Sequence, residues 1–334
     1  MSNLKFSIVI PAYNRTIELQ QCLNTIEDQT FPHTNFEVLV IDDGSSKAIS
    51  DIIEQKKYSF LLKVIRIEHS GPSCAKNVGI KNAFSDYIVF FEDDVVIHKD
   101  YLSTAFSLIS EKNYDVLEGR TLTLGSTKDV RIFDEENVYS FIPCNLIVRK
   151  NLLQDLNGYD QQFYDPQSGL YFREDADLGF RLLDKGVNII RTDKLIVEHP
   201  EQFKTIGACL RHARRYFFEP LIYKKHPKRF RQLIERKRIL GFQIYRPLHK
   251  LCIGMIMFLL ITILGFVFGL FLIILIGILG VLSVILALQY KYEGGFSGKI
   301  SAIIRLGAFF ILPFFYWKAF LLGCIKFRSY GCII

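Results

Sequence analysis

Short apolar runs bounded by turn residues recur along the first ninety positions. They are Phe6-Ser7-Ile8-Val9-Ile10, Glu37-Val38-Leu39-Val40-Ile41, residues 63–67 and Tyr87-Ile88-Val89-Phe90-Phe91. Runs with little alternation predict strands buried on both faces. Helical spacing fills the gaps at 18–28, 49–57 and 70–83, the last opened by Ser70-Gly71-Pro72-Ser73. Pro11-Ala12-Tyr13-Asn14-Arg15 is expected to break the first strand. Strand alternating with helix four times predicts a parallel sheet with right-handed crossovers. Beyond it the pattern predicts a helix at 99–111, a strand at 115–123, a polar loop at 126–137 and a strand at 143–149. Asn157-Gly158-Tyr159-Asp160 reads as a turn. In 173–186, Leu178, Leu182 and Leu183 mark one helix face and Gly186 a stop. A strand at 188–192 leads to Val197-Glu198-His199-Pro200.

The second half changes character. Residues 251–290 contain no charged side chain, about twice the roughly 20 residues that one spanning helix needs. Gly265 and Gly269 near the middle predict a helical hairpin. Residues 301–325 are apolar but interrupted by Arg305, Pro313 and Lys318, and fit a third span or a helix lying in the membrane interface. The basic tail Lys326-Phe327-Arg328 favours the interfacial alternative. The net charge of +7 hides an asymmetry: residues 201–250 hold 14 Lys/Arg against 3 Asp/Glu. A basic collar beside an apolar segment follows the positive-inside rule and anionic-lipid attraction more simply than nucleic-acid binding. Seven scattered cysteines, none in a Cys-x-x-Cys pair, exclude a disulfide framework and a zinc site as organising features. No charged-then-apolar leader precedes the first strand, so the first domain is expected in the cytoplasm.

Chemistry concentrates at strand ends. Glu92-Asp93-Asp94 follows the fourth apolar run, and Asp42-Asp43-Gly44-Ser45 follows the second. Ligands of open α/β sheets bind at that edge. Three adjacent carboxylates repel, so a positive partner is expected; hard oxygen donors favour Mg²⁺ or Mn²⁺. A solvated acidic turn is the alternative reading of the triplet taken alone. Aromatic and carboxylate groups at one edge suit a base and a ribose, and no Gly-rich phosphate loop is present. Glu174 and Asp175 fall at a helix start, where the dipole favours negative charge; capping is the alternative.

Five motifs in order resemble inverting glycosyltransferases of family 2, which have the GT-A fold. They are Phe6 to Arg15, Ile41-Asp42-Asp43-Gly44-Ser45, Gly71-Pro72-Ser73-Cys74-Ala75-Lys76-Asn77-Val78-Gly79, Phe90-Phe91-Glu92-Asp93-Asp94, and Gly158-Tyr159-Asp160 with Glu174-Asp175-Ala176-Asp177-Leu178. The resemblance covers about residues 6–200. It implies an α/β GT-A domain at 1–210, to which the charge and apolar pattern add a basic juxtamembrane segment at 211–250, a transmembrane hairpin at 251–290 and a third transmembrane or interfacial helix at 300–326. It implies donor contacts from Pro11, Tyr13, Asn14, Asp42, Lys76 and Asp93. The metal, Mn²⁺ or Mg²⁺, would be held by Asp94, Glu92 and His199. Asp175 would be the general base, with Glu174, Arg214 and Arg215 on the acceptor or diphosphate side.

Two departures stand out. Glu92 occupies the first acidic position of the Asp-x-Asp motif. Arg211-His212-Ala213-Arg214-Arg215-Tyr216 stands where processive members carry Gln-x-x-Arg-Trp, which disfavours long-chain polymerisation. The implied function is transfer of a sugar from a UDP or GDP type donor to a lipid-linked or cell-surface glycan acceptor. It is placed at the cytoplasmic face of the cell membrane in a multi-pass protein, with membrane lipids and no nucleic acid as partners. A processive polysaccharide synthase and a non-catalytic membrane adaptor are the competing readings.

Overall fold

A computed structural model describes residues 4–53, 56–127, 129, 141, 143–200, 205–234, 236–239, 242–292 and 302–332. Two units emerge, residues 1–200 and 201–334. The first holds β1 (Phe6–Ala12), α1 (Thr16–Glu27), β2 (Phe36–Asp42), α2 (Ser50–Ile53), β3 (Leu61–Arg66), α3 (Pro72–Asn82), β4 (Tyr87–Phe90) and β5 (Val96–Ile97). It continues with α4 (Tyr101–Lys112), β6 (Val116–Thr123), β7 (Leu146–Arg149), α5 (Lys150–Asp155), β8 (Tyr164–Asp165), β9 (Leu170–Tyr171), α6 (Glu174–Asp184) and β10 (Ile189–His199).

Eight strands form one sheet in the order β3-β2-β1-β4-β7-β6-β10-β5. The first four are parallel, as the alternation predicts. The sheet as a whole is mixed, because β7 enters antiparallel to both β4 and β6. β1, β2 and β4 are buried almost throughout, with apolar clusters on both faces of the sheet. That is why their sequences read as runs rather than alternations.

β1 ends within the expected Pro11–Arg15 stretch, at Ala12, one residue past the proline. β4 accompanies β1 only as far as Val9, so at Pro11 the missing N–H faces no ladder partner. The second helix is described only at Ser50–Ile53; part of the expected 49–57 lies outside the described residues, and Lys56 and Lys57 are not helical. β10 extends past 192 to His199 through an irregularity between Thr192 and Ile196, which carries His199 to the strand end. The polar stretch 126–137 lies mostly outside the described residues.

The second unit holds α7 (Ile206–Arg215), a tight turn at Tyr216–Phe218, α8 (Glu219–Lys225), α9 (Pro227–Leu233) and a hairpin of β11 (Arg236–Ile239) and β12 (Phe242–Tyr245). Three long helices follow: α10 (Pro247–Phe268), α11 (Phe271–Tyr292) and α12 (Ala302–Phe327). All three are long and apolar enough to cross a membrane, with mean hydropathy 2.8, 3.1 and 1.8 over their apolar stretches. Gly269, at φ +65°, ends α10 in the left-handed region and turns the chain into α11. Glycines hold the two helices close: a Cβ on Gly265 would stand 2.7 Å from the Ile274 nitrogen. Small residues at such contacts are how helices pack in lipid.

In the first unit, α3 lies directly on β1 at Gly79, where a Cβ would meet the Val9 side chain. Gly79→Ala overpacks this contact and is expected to lower stability by about 1–3 kcal/mol. Thermal unfolding of the full chain in detergent checks it; an unchanged midpoint would mean that α3 can lift from the sheet at no cost.

Candidate active site

Strand ends and the helix starts that follow them assemble one cluster in the first unit. The acids after β4 sit at its centre. Arg15, just past β1, places Nη1 3.2 Å from Asp93 Oδ1 and 2.6 Å from Asp94 Oδ2. From the end of β10, His199 Nε2 lies 2.9 Å from Glu92 Oε2 and 3.6 Å from Asp94 Oδ1. The positive partners expected from the repulsion of three carboxylates are thus Arg15 and His199.

The charges shift accordingly. Burial opposes the Glu92 charge, but the hydrogen bond and charge of His199 outweigh it and bring the carboxyl down to about 2. Its side chain is still 37% exposed, so the histidine partner governs. Burial likewise opposes the imidazolium, and Glu92 with Asp94 outweighs it, raising His199 to about 9. Asp93 is raised to about 7 by burial first, then by Asp94 and Glu92, against the pull of Arg15. Burial also raises Asp94 above the usual carboxylate value.

Glu92, Asp94 and His199 can each offer one ligand atom within 4.8 Å of the others. The donor set fits a divalent cation. His199 Nδ1 lies 2.6 Å from the Pro200 carbonyl oxygen, to which it can only donate. In the neutral ring that leaves the Nε2 lone pair facing the acids, the second-sphere arrangement typical of a metal-bound histidine. Asp94 Oδ1 is buried without a hydrogen-bond partner, an acceptor that a cation would satisfy.

A second group of charges adjoins this one. Lys76 of α3 is buried, with Nζ 3.6 Å from Glu174 Oε1 and 4.6 Å above the Tyr159 ring. Its charge also helps lower Glu92. Tyr159 is held well above its ordinary value by burial, then by Glu174, Asp175 and Glu92. Lys76 and Tyr159 therefore stand between the acids after β4 and those that open α6. Within the pair at the head of α6, Glu174 is buried against Lys76, while Asp175 is part-exposed and accepts from the Ala176 N–H at 2.8 Å. Asp177 is spent elsewhere. It binds Arg181 at 2.7 Å, and Arg181 donates to the Leu156 and Gly158 carbonyls. Asn77 locks the same turn through two hydrogen bonds to the Tyr159 backbone.

The loops after β1 and β2 are tied together. Asn14, at φ +55°, donates its N–H to Ser45 Oγ and accepts from Ser46 N. Exposed Tyr13 stacks on His69 at 4.1 Å between ring centroids. The Tyr164 hydroxyl reaches His69 Nε2 at 3.1 Å. Gly71, at φ +84°, leaves room for the Tyr164 ring, which a Cβ would strike. His69 and Tyr164 extend the aromatic surface, and sequence reasoning missed both; neither sits in a recognisable motif. Asp42 does not face this surface. It is fully buried, and its oxygens accept from Ser45 N, Ile49 N and Arg66 Nη1, so the geometry assigns it to shaping the loop. Pro11 is part-buried at the end of β1. Arg214 and Arg215 lie on α7 in the second unit.

The family model described as glycosyl transferase family 2 matches residues 7–177, just over half of the chain. The chain belongs to that family. It is 32% identical over 169 residues to the poly(ribitol-phosphate) beta-N-acetylglucosaminyltransferase TarS of Staphylococcus aureus, a match covering 47% of this chain and 29% of that protein. It is 28% identical over 198 residues to glycosyltransferase AglE of Haloferax volcanii, covering 54% and 64%. The chain thus spans less than a third of the first relative's length and under two thirds of the second's. Among solved structures, a mannosyltransferase from Pyrobaculum calidifontis in complex with GDP-Man and Mn²⁺ aligns with a TM-score of 0.54 at 12% identity, covering 97% of this chain and 87% of that one. S. aureus TarS 1-349 in complex with UDP-GlcNAc aligns at 0.50 and 17% identity, covering 98% and 93%. At such identities the likeness concerns the fold, which is GT-A.

The Lys76–Glu174 pair carries a stability prediction. Lys76→Met removes this countercharge from a buried carboxylate and is expected to cost about 3–5 kcal/mol. Lys76→Met with Glu174→Leu should recover much of that loss. Thermal unfolding of the single and double variants reads the coupling; additive losses would mean the two side chains act independently.

Proposed function

We propose that this chain is a membrane-anchored, metal-dependent, inverting glycosyltransferase. It moves a sugar from a nucleoside-diphosphate donor of UDP or GDP type to a lipid-linked or cell-surface glycan acceptor at the cytoplasmic membrane face. The observation that carries this reading is the convergence of Glu92, Asp94 and His199 beside Lys76, with Asp175 at the head of α6 close by. The family membership supports the reaction class, and the three apolar helices support the anchoring.

Mn²⁺ or Mg²⁺, held by Glu92, Asp94 and His199, would offset the charge that develops on the departing diphosphate. The protein's own groups do the rest. Tyr13, backed by His69, offers a flat face for the base, and Asn14 fixes the loop that presents it. Asp93, buried beside Arg15, contacts the donor sugar or ribose. Lys76 adds positive charge next to the leaving group's site while pinning Glu174. Asp175 then takes the acceptor hydroxyl's proton as that oxygen bonds to the anomeric carbon and the bond to the diphosphate breaks. One displacement of this kind inverts the anomeric centre. Glu174 cannot easily serve as the base, because its charge is committed to Lys76, and Asp177 is committed to Arg181.

Asp175→Asn keeps the shape and removes the proton acceptor. It is expected to lower turnover by about 10²–10⁴-fold, the usual worth of a positioned base, with donor binding retained. Released nucleoside diphosphate measures the rate, and NMR of the product reads the anomer, expected inverted. Loss of donor binding in the variant would move Asp175 to the donor side; a retained anomer would defeat the single-displacement mechanism.

A further inference from the structure

We infer that α12 does not cross the bilayer: it lies within the interface of an anionic leaflet, alongside α7 and α8, and the hairpin of α10 and α11 supplies the only two crossings among the described residues. The inference rests on the reading that this hairpin spans a membrane.

Arg246, immediately before α10, is buried and donates from Nη1 to the Cys332 carbonyl at 2.6 Å. Cys332 lies five residues beyond the end of α12. The same guanidinium places Nη2 2.7 Å from Glu219 Oε2, at the start of α8. One side chain therefore gathers α8, the entry to α10 and the chain after α12 at a single point. Two crossings return a chain to the side from which it left. A third would strand Cys332 across a hydrocarbon layer about 30 Å thick, far beyond the reach of Arg246.

α12 meets the hairpin through Tyr316, Trp317 and Phe320. Tyr316 Oη lies 2.6 Å from His249 Nδ1, and Trp317 Nε1 donates to the Cys252 carbonyl at 3.2 Å. Phe320 packs on the His249 ring at 5.2 Å. All these partners belong to the first turns of α10. Deeper along the hairpin, α10 and α11 pack on each other through Gly265, Gly277 and Gly280, while Met257, Leu260, Ile263 and Leu264 are exposed. A third span would run alongside that deeper part.

α12 packs along α7 and α8. It runs in the same direction as α7 and α8 over most of its length. Ile206, Cys209 and Leu210 face Ala308, Phe309 and Leu312. Tyr216 meets Tyr316 at 4.7 Å, Gly323 abuts the Phe217 carbonyl, and Lys224 Nζ donates to the Phe327 carbonyl at 2.9 Å. Arg214 and Arg215 immediately precede Tyr216, so a spanning α12 would hold them at the level of the bilayer centre, where such charges are rare and costly. Lys318, on the exposed side of α12, falls close to the middle of the apolar stretch Leu306–Phe327 and would share that depth.

A helix lying in the plane removes both conflicts. The exposed Ile311, Phe314, Phe315 and Leu322 enter the acyl boundary, at the roughly 5–10 Å depth of such helices. From there a lysine stem reaches the headgroups. Exposed Arg211, Arg214, Lys224, Lys225 and Lys326 supply the charge complement to anionic lipid.

The test uses the full-length protein in right-side-out and inside-out membrane vesicles. One version carries an epitope tag after Ile334, another a tag between Gly269 and Leu270, and an impermeant protease probes each. The tag after Ile334 should be cleaved from the same side as the catalytic unit, and the tag at the hairpin turn from the opposite side. Cleavage of both tags from the opposite side would establish a third crossing and overturn the inference. Cleavage of the hairpin-turn tag from the catalytic side would instead refute the spanning reading on which it rests.

Discussion

Like-charge repulsion among Glu92, Asp93 and Asp94 is the constraint on which the site depends. Three carboxylates in sequence at a strand end cannot all stay ionised without compensation. The protein compensates from two directions. Arg15 reaches in from the end of β1 and holds Asp93 and Asp94 together, while His199 arrives from the far end of β10 and takes Glu92. β10 continues through its irregularity and delivers the histidine at its end. Fold and charge are therefore coupled: the mixed sheet brings an arginine and a histidine, nearly two hundred residues apart, to the same three acids.

A glycosyltransferase needs the same compensation in changing form. Its donor brings a diphosphate, whose charge a bound cation would offset. The histidine bonded through Nδ1 to the Pro200 carbonyl can pair with Glu92 as a cation, or turn the Nε2 lone pair of its neutral form to a metal ion without moving. Lys76 adds a fixed charge between the two acid groups. It pairs with Glu174, and the proposed base is therefore the neighbouring Asp175.

Much of this was legible in the sequence, for identifiable reasons. β1, β2 and β4 are buried on both faces, so they stand out as apolar runs, and the acids at their ends mark the edge of the sheet. The antiparallel entry of β7 was not legible, because a four-residue buried strand carries no sign of its direction. The end of β10 was missed since Asp193 and Lys194 interrupt its apolar pattern at the irregularity. Asp42 was read as a donor contact because a carboxylate that caps its own loop and one that binds a ligand look alike in sequence. His69 and Tyr164 sit outside any motif, and only folding brings them to Tyr13. In the second unit, apolar length identified three helices, but the difference between crossing and lying flat rests on tertiary contacts around Arg246.

The most direct test of the central claim is the anomalous diffraction of Mn²⁺ in crystals grown with a nucleoside diphosphate. The account predicts one manganese peak bounded by Glu92, Asp94 and His199, touching the diphosphate, with Arg15 drawn off Asp94. A well-ordered nucleotide with no manganese at these three residues, or manganese bound at another site, would contradict it.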